Sequence, residues 1–120
     1  MREIKFRAWV RRLDRMCNVT GIDFERNEIN ILSPGWHMSE WLRRDQVELM
    51  QYTGLKDNNG REVYEGDVVK NEYGKVMDIQ YDPRSTAFGV GDYYFGTIGS
   101  GKILEVIGNI FENPELLEAD

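Results

Sequence analysis

Residues 52–69 read YTGLKDNNGREVYEGDVV, and this stretch decides the fold. Two turn sequences lie close together in it, and a strand-like run follows each. The first is Asp57-Asn58-Asn59-Gly60, where Asn and Gly accept the positive φ that tight hairpin turns need. The second turn precedes Val68-Val69. We interpret the stretch as structural: its turns end one strand and allow the next to begin. Its turn residues are Gly54, Gly60, Gly66 and Asp67.

The same stretch leaves a functional alternative open. In this reading the turn at Asp57–Gly60, or the carboxylates of Glu65 and Asp67, form a docking surface. The structural interpretation predicts instead that Tyr52, Tyr64 and Val68 supply core contacts between the turns.

The N-terminal residues predict two β-hairpins. In residues 3–10 (EIKFRAWV), Ile4, Phe6, Ala8 and Val10 fall on one face and Trp9 on the polar face, which is typical of a half-buried strand. A turn around Asp14 leads to a second strand. Residues 22–32 (IDFERNEINIL) repeat the pattern around a turn near Arg26-Asn27.

Residues 33–46 (SPGWHMSEWLRRDQ) interrupt this pattern. Pro34-Gly35 breaks the chain, so we expect a loop with at most a few helical turns. The loop carries Trp36 and Trp41, of which we expect at least one to be buried. Residues 47–53 (VELMQYT) then predict a strand.

The second half continues with short strands. A third turn is expected at Tyr73-Gly74, and residues 75–82 alternate, with Met77, Ile79 and Tyr81 on one face. Residues 83–101 are rich in Gly and aromatic residues and predict a mobile hairpin or a long loop. Residues 103–111 predict an apolar strand with a bulge or kink at Gly108.

A short helix is expected at the end of the chain. Asn113 is suited to be its N-cap and Pro114 its first residue. Leu116 and Leu117 are expected to dock on the body of the domain.

The length suits one domain, and the many short strands separated by Gly and Asn turns predict a mainly β fold, in β-rich α+β form. The chain has 120 residues, of which 41% are hydrophobic and 30% charged, and it carries one cysteine. One cysteine excludes a disulfide framework. No run is long enough to span a membrane, and the N-terminus lacks a secretory signal, so we expect a cytoplasmic protein.

The charge is unevenly distributed. Residues 1–60 hold 10 basic and 9 acidic side chains, whereas residues 61–120 hold 5 and 12, and the net charge is −6. Such a balance disfavours nonspecific coating of nucleic acid.

Three blocks of the chain resemble the YopX family of small bacteriophage and prophage proteins: REIKFRAW (residues 2–9), LMQYTGLKDNNGREVYEGDVV (49–69) and LEVIGNIFENPELL (104–117). The resemblance implies a β-rich fold over residues 1–120 and expression in an infected or lysogenic bacterium. It brings no catalytic residues. We divide the predicted domain into a hairpin and loop region (residues 1–48) and an SH3-like β region (49–120).

We expect a non-enzymatic module that binds a host or phage protein, with a homo-oligomer as a further possibility. Aromatic residues beside arginine or in a glycine-hinged loop are typical of interface anchors. The candidate partner-binding residues are Trp36, Trp41, Arg43, Phe88, Tyr93 and Tyr94.

The alternative is nucleic-acid binding through the first hairpin. Its candidate residues are Arg7, Trp9, Arg11, Arg12 and Arg15. The competing interpretation is a solvated hairpin whose arginines pair with the acidic second half, within one molecule or across an oligomer interface.

An enzyme is a third, less favoured class. His37 and Cys17 are distant in sequence and belong to no nucleophile motif, and Cys17 in a β-rich region is typical of a core residue. Asp78 and Asp82 share a strand face that we expect to be solvated rather than metal-binding. We expect no cofactor, because the glycine-rich segment matches no phosphate-binding loop.

Overall fold

The computed structural model describes residues 4–82, 87–90, 93–94 and 104–118. These residues confirm a mainly β fold with a short C-terminal helix. The elements are β1 (Phe6–Val10), β2 (Arg15–Asp23), β3 (Glu28–Leu32), β4 (Glu40–Arg43), a 3-10 turn (Arg44–Gln46), β5 (Val47–Lys56), β6 (Glu62–Tyr64), β7 (Asp67–Lys70), β8 (Val76–Asp82), β9 (Ala87–Val90), β10 (Tyr93–Tyr94), β11 (Glu105–Asn109) and α1 (Glu115–Glu118).

The strands form two compact units. Ile4–Gln51 make up the first unit, and the chain from Tyr52 onward makes up the second, so that β5 runs from one into the other. This division into two units does not test the expectation that the chain is a single domain, which stays a prediction.

The first unit is an antiparallel sheet with strand order β4-β3-β2-β1-β5. Both predicted hairpins are confirmed, and each turn contains a residue with positive φ, 52° at Asp14 and 59° at Asn27. The side chains of its hydrophobic core cluster lie on one sheet face because residues two apart in a strand project to the same side. They are Ala8, Val10, Cys17, Ile29, Ile31, Leu42 and Val47.

Two expectations for the first unit were wrong. Glu40–Arg43 form strand β4 rather than a loop or a helical turn. Leu42 is buried opposite Ile29, and Trp41 projects to the other sheet face. This alternation extends over only four residues and lies close to Pro34-Gly35, so it was too short to identify as a strand from the sequence. Trp9 was expected on a polar face, but it is buried.

The second unit contains β6, which pairs with the later part of β5, and an antiparallel sheet of order β10-β9-β8-β7-β11. Its core consists of Val63, Val69, Met77, Ile79, Leu104 and Val106. The predicted alternation of β8 is confirmed at Met77 and Ile79, although Tyr81 is partly exposed. The SH3-like barrel remains a prediction.

The C-terminal segment follows the prediction in part. A register shift between Val106 and Gly108 confirms the bulge in β11. The Asn113 side chain was expected to cap α1, but its Oδ1 accepts the backbone N–H of Asn109 at 3.3 Å. The docking of Leu117 was also wrong, because its side chain is exposed, whereas Leu116 is half-buried.

Candidate functional site

The quoted stretch is organised by the carboxylate of Asp57. Asp57 is 4% exposed, and its Oδ1 accepts the backbone N–H groups of Asn59 and Arg61, each at 2.9 Å. Its Oδ2 accepts the N–H of Val106 in β11, also at 2.9 Å. The backbone N–H of Asn58 donates to the carbonyl of Leu104, the residue before β11, so the turn is bonded both to β11 and to the chain that leads into it.

These bonds also determine how Asp57 ionises. Burial alone would raise the pKa of its carboxyl, because a charged group loses hydration in the interior. The three backbone N–H donors and the nearby Arg61 guanidinium outweigh burial, and they hold the pKa below its usual value. Asp57 is therefore a charged structural group whose oxygens already have donors.

Asp67 has a similar structural role in the second turn, as a buried carboxylate that accepts a backbone N–H. Its side chain is fully buried, and its Oδ2 accepts the backbone N–H of Tyr64 at 2.7 Å. Buried carboxylates cannot contact a partner, so the two aspartates do not support the docking alternative for this stretch.

The turn glycines have the backbone conformation that their prediction requires. φ is 89° at Gly54, 81° at Gly60 and 87° at Gly66, in the left-handed region that favours glycine. Between the turns, Tyr52 packs against Tyr64 with ring centroids 5.5 Å apart. The stretch thus builds the second unit.

The arginines of the first hairpin face acidic groups of the first unit. Arg11 bonds to the carboxylate of Glu48 and to the carbonyl of Asp45. Arg12 donates to both carboxylate oxygens of Glu40, at 2.8 and 2.9 Å. The expectation that these arginines pair with the acidic second half within one molecule was wrong for both of them, since their partners belong to residues 40–48.

The other candidate nucleic-acid residues are separated by their environments. Arg15 donates to the hydroxyl of Ser33 at 3.1 Å, Arg7 is half-buried, and Trp9 is buried. A base can stack only on an accessible ring. The structure therefore offers no reason to favour the nucleic-acid alternative, which remains a prediction.

The clearest candidate site is the chain from Trp36 to Arg43, which we call the Trp36–Arg43 surface. Trp36 is 37% exposed, Met38 80% and Trp41 50%, so the expectation that one tryptophan is buried was wrong. Arg43 follows Trp41 on the same strand face and is also exposed. Three large apolar side chains therefore reach solvent within six residues.

Trp41 is held in place by the strands beneath it. In the sheet register Trp41 pairs with Asn30, which pairs with Gly21. A Cβ built on Gly21 would lie 3.5 Å from Cη2 of Trp41, so the indole lies across β3 and covers this glycine. Glycine permits that close approach because it has no side chain, and the ring keeps one face toward solvent.

Strand β4 is also an edge strand of the first unit. The backbone N–H of Arg44 donates to the carbonyl of Asn27, whereas that of Arg43 points to the other side and donates to Oε1 of Gln46 at 2.9 Å. Because backbone groups two residues apart point to the same side of a strand, those of Trp41 point away from β3. Gln46 caps one end of the edge, and among the described residues no bond is seen to the outward-facing backbone groups of Trp41.

The remaining candidate partner residues are described only in part. Phe88 lies in β9, and Tyr93 and Tyr94 lie in β10, with Tyr93 in register with Val90. Their side chains, and the rest of the loop predicted over residues 83–101, lie outside the described residues.

The two residues weighed for nucleophilic catalysis, Cys17 and His37, lie in different environments. Cys17 is buried in the core as expected, and burial raises the pKa of its thiol against the opposite effects of Ser33 and Arg15. His37 is exposed. Across residues 4–82 and the later described segments, no three His, Cys, Asp or Glu side chains cluster as metal ligands would. Those same segments contain no helix long and apolar enough to cross a bilayer.

Several exposed apolar residues were missed by the sequence interpretation, among them Met38 and Phe24. Met38 lies between the two tryptophans, and Phe24 is 88% exposed in the turn between β2 and β3. A phenylalanine inside a turn sequence, with Asp23 before it and Arg26-Asn27 after it, was the available signal.

Comparisons with known proteins identify a solved structure of similar fold and a matching protein family. The crystal structure of protein EF1440 from Enterococcus faecalis matches with a TM-score of 0.68 and 29% sequence identity, over 98% of this chain and 99% of that one. A comparison with curated proteins gives no match. Residues 5–118 match the family model described as YopX protein, and the chain therefore belongs to the YopX family.

Proposed function

We propose that this protein is a non-enzymatic module that binds a partner protein in the bacterial cytoplasm through the Trp36–Arg43 surface. The proposal depends on Trp41, which lies on the edge strand β4. Its indole is half-exposed and packs over Gly21 of β2. Given the resemblance to phage and prophage proteins, the partner belongs to the host bacterium or to the phage.

The chemistry of this surface suits protein binding. Trp and Arg are the residues that most often dominate binding energy at protein interfaces. A ring already held by packing loses little conformational entropy on binding. The nearest ionic contact, from Arg43 Nε to Asp45 Oδ1, is 3.4 Å long between two exposed side chains. It is therefore weak and leaves the guanidinium able to meet an acidic partner group.

The edge of β4 adds a second means of recognition. An extended segment of the partner can bond to the backbone beside Trp41, as in strand addition to other sheets. The bond from Arg43 N–H to Gln46 limits such pairing to a short stretch. We expect the side chains of Trp36, Met38 and Trp41 to contribute most of the binding.

Affinity purification from a bacterial lysate tests the proposal. The tagged chain is compared with a Trp41→Ala variant, and each sample is divided into nuclease-treated and untreated halves. Tyr73→Ala is the matched control, because Tyr73 is 85% exposed in the second unit. We expect a protein that co-purifies with wild type and with Tyr73→Ala after nuclease, and whose recovery falls at least about tenfold with Trp41→Ala.

Other outcomes would redirect the interpretation. Nucleic acid in the eluate, or proteins recovered only without nuclease, would move attention to the first hairpin. Changing Arg11 and Arg12 together to Ala should then weaken binding and its dependence on salt. A mutation-sensitive turnover of a substrate would contradict the non-enzymatic assignment.

A further inference from the structure

A cavity of about 140 Å³ opens beside the turn between β2 and β3. Its apolar wall includes Phe6, Ile22, Ile29 and Leu49, all from the first unit. Phe6, Ile22 and Leu49 are half-buried, so they retain surface that a ligand can cover. None of its lining residues belongs to the Trp36–Arg43 surface, although Arg44 directly follows that surface in the chain.

The size of the cavity indicates what fits it. An apolar protein cavity of about 150 Å³ holds one benzene molecule. The cavity here is therefore large enough for a single phenyl ring. Transfer of such a ring from water to this apolar wall is favourable, because it removes apolar surface from water.

Phe24 supplies a ring of that size at the rim of the same cavity. Its side chain lines the opening and is 88% exposed. The turn that carries it is well defined, since Oδ1 of Asp23 accepts the backbone N–H groups of Glu25 and Arg26, each at 3.0 Å. An exposed phenyl group on an ordered turn is available to a partner molecule.

The charges around the opening complement one another. Asp23, Glu28 and Arg44 all line the cavity, so the surface around it carries both signs. A surface with a knob, a matching hole and both charges is complementary to a copy of itself.

We propose that two copies of this chain associate through the cavity, each inserting its Phe24 into the cavity of its partner. In this two-fold arrangement the Arg44 guanidinium of one copy faces Glu28 or Asp23 of the other. Binding removes the Phe24 ring and the apolar wall from water, which is the main driving force, and the charges fix the orientation.

Sedimentation equilibrium of the full chain tests this proposal, at concentrations from about 1 μM to about 200 μM. We expect a reversible dimer for wild type. Phe24→Ser should raise its dissociation constant by about 30-fold or more, as loss of a central anchor does. Phe24→Leu should have a smaller effect, because leucine keeps part of the apolar surface. Tyr73→Ser, an equally exposed aromatic of the second unit, should leave the constant unchanged.

Charge reversal provides a test that does not depend on Phe24. Arg44→Glu should weaken the dimer, and so should Glu28→Arg, whereas the two changes together should restore it. Thermal melting of each variant verifies that it is folded. A wild-type monomer over the whole concentration range would overturn the proposal. So would a dimer whose constant Phe24→Ser leaves unchanged.

Discussion

The bonds made by Asp57 predict a large and pH-dependent loss of stability on replacement by Asn. The change removes the negative charge and one acceptor but keeps the shape of the side chain. If the remaining oxygen accepts from Asn59 and Arg61, the new amide nitrogen faces the N–H of Val106. If the amide turns over, the oxygen keeps Val106 and the other two donors lose their acceptor.

Either arrangement leaves at least one of the three backbone N–H groups without an acceptor, in a site where Asp57 is 4% exposed. The other N–H groups then bond to a neutral oxygen instead of a charged one. A hydrogen bond to a charged group contributes about 1.5–3 kcal/mol, and leaving a buried donor unsatisfied costs a similar amount. We therefore expect Asp57→Asn to lower the free energy of unfolding by about 2–3 kcal/mol. Asp57→Ala removes both acceptor oxygens, and with them all three hydrogen bonds, and should cost about 3–5 kcal/mol.

Urea unfolding monitored by circular dichroism measures these losses. Asp78→Asn is the control, because Asp78 is only half-buried and accepts a bond from the Gln80 side chain at 2.9 Å, which the oxygen of an asparagine can also accept. The control removes the same charge from the same unit and should change stability by less than about 0.5 kcal/mol. Equal losses from Asp57→Asn and Asp78→Asn would refute the structural role of Asp57.

The pH dependence provides a second measure. The pKa of Asp57 is lower in the folded state than in the unfolded chain, where an aspartate titrates near about 3.9. Its ionised form therefore stabilises the fold above about pH 4, and this contribution is lost as the pH falls through the folded-state pKa. The stability difference between wild type and Asp57→Asn should narrow on acidification. A difference that stays constant would mean that the charge contributes nothing.

Three further predictions concern single positions. Gly66 has φ of 87°, so Gly66→Val should destabilise the fold by roughly 1–3 kcal/mol, and an unchanged melting temperature would contradict this reasoning. A Cβ on Gly108 would lie 2.5 Å from Oδ1 of Asn113, so Gly108→Ala should cost about 1–3 kcal/mol. That cost should shrink when Asn113 is already Ala, and strict additivity would argue against the clash. Cys17 is buried with a raised thiol pKa, so a thiol reagent should modify the folded chain far more slowly than the urea-unfolded chain. Equal rates in both states would show that the thiol is accessible.

Local pattern was enough to predict most of the fold. The hairpin turns at Asp14 and Asn27, the alternation of β8 and the bulge at Gly108 each depend on a few neighbouring residues. Positive φ at Gly66 follows from local chemistry in the same way. These features were therefore accessible from the sequence alone.

Features that depend on distant residues were not predicted. β4 has four residues, and only its pairing with β3 reveals that it is a strand. The anchor that Asp57 provides for Val106 spans 49 residues, and no spacing in the sequence indicates it. The support of Trp41 by Gly21 likewise depends on the register of three strands.

Site-specific photo-crosslinking in bacterial cells tests the central claim most directly, namely that the Trp36–Arg43 surface binds a protein. A photoreactive amino acid replaces Met38 in one variant and Tyr73 in another, both highly exposed in the wild type. We predict a discrete protein adduct from position 38, lost when Trp41→Ala is added, and no such adduct from position 73. The absence of an adduct at position 38, or the same adducts at both positions, would contradict the account.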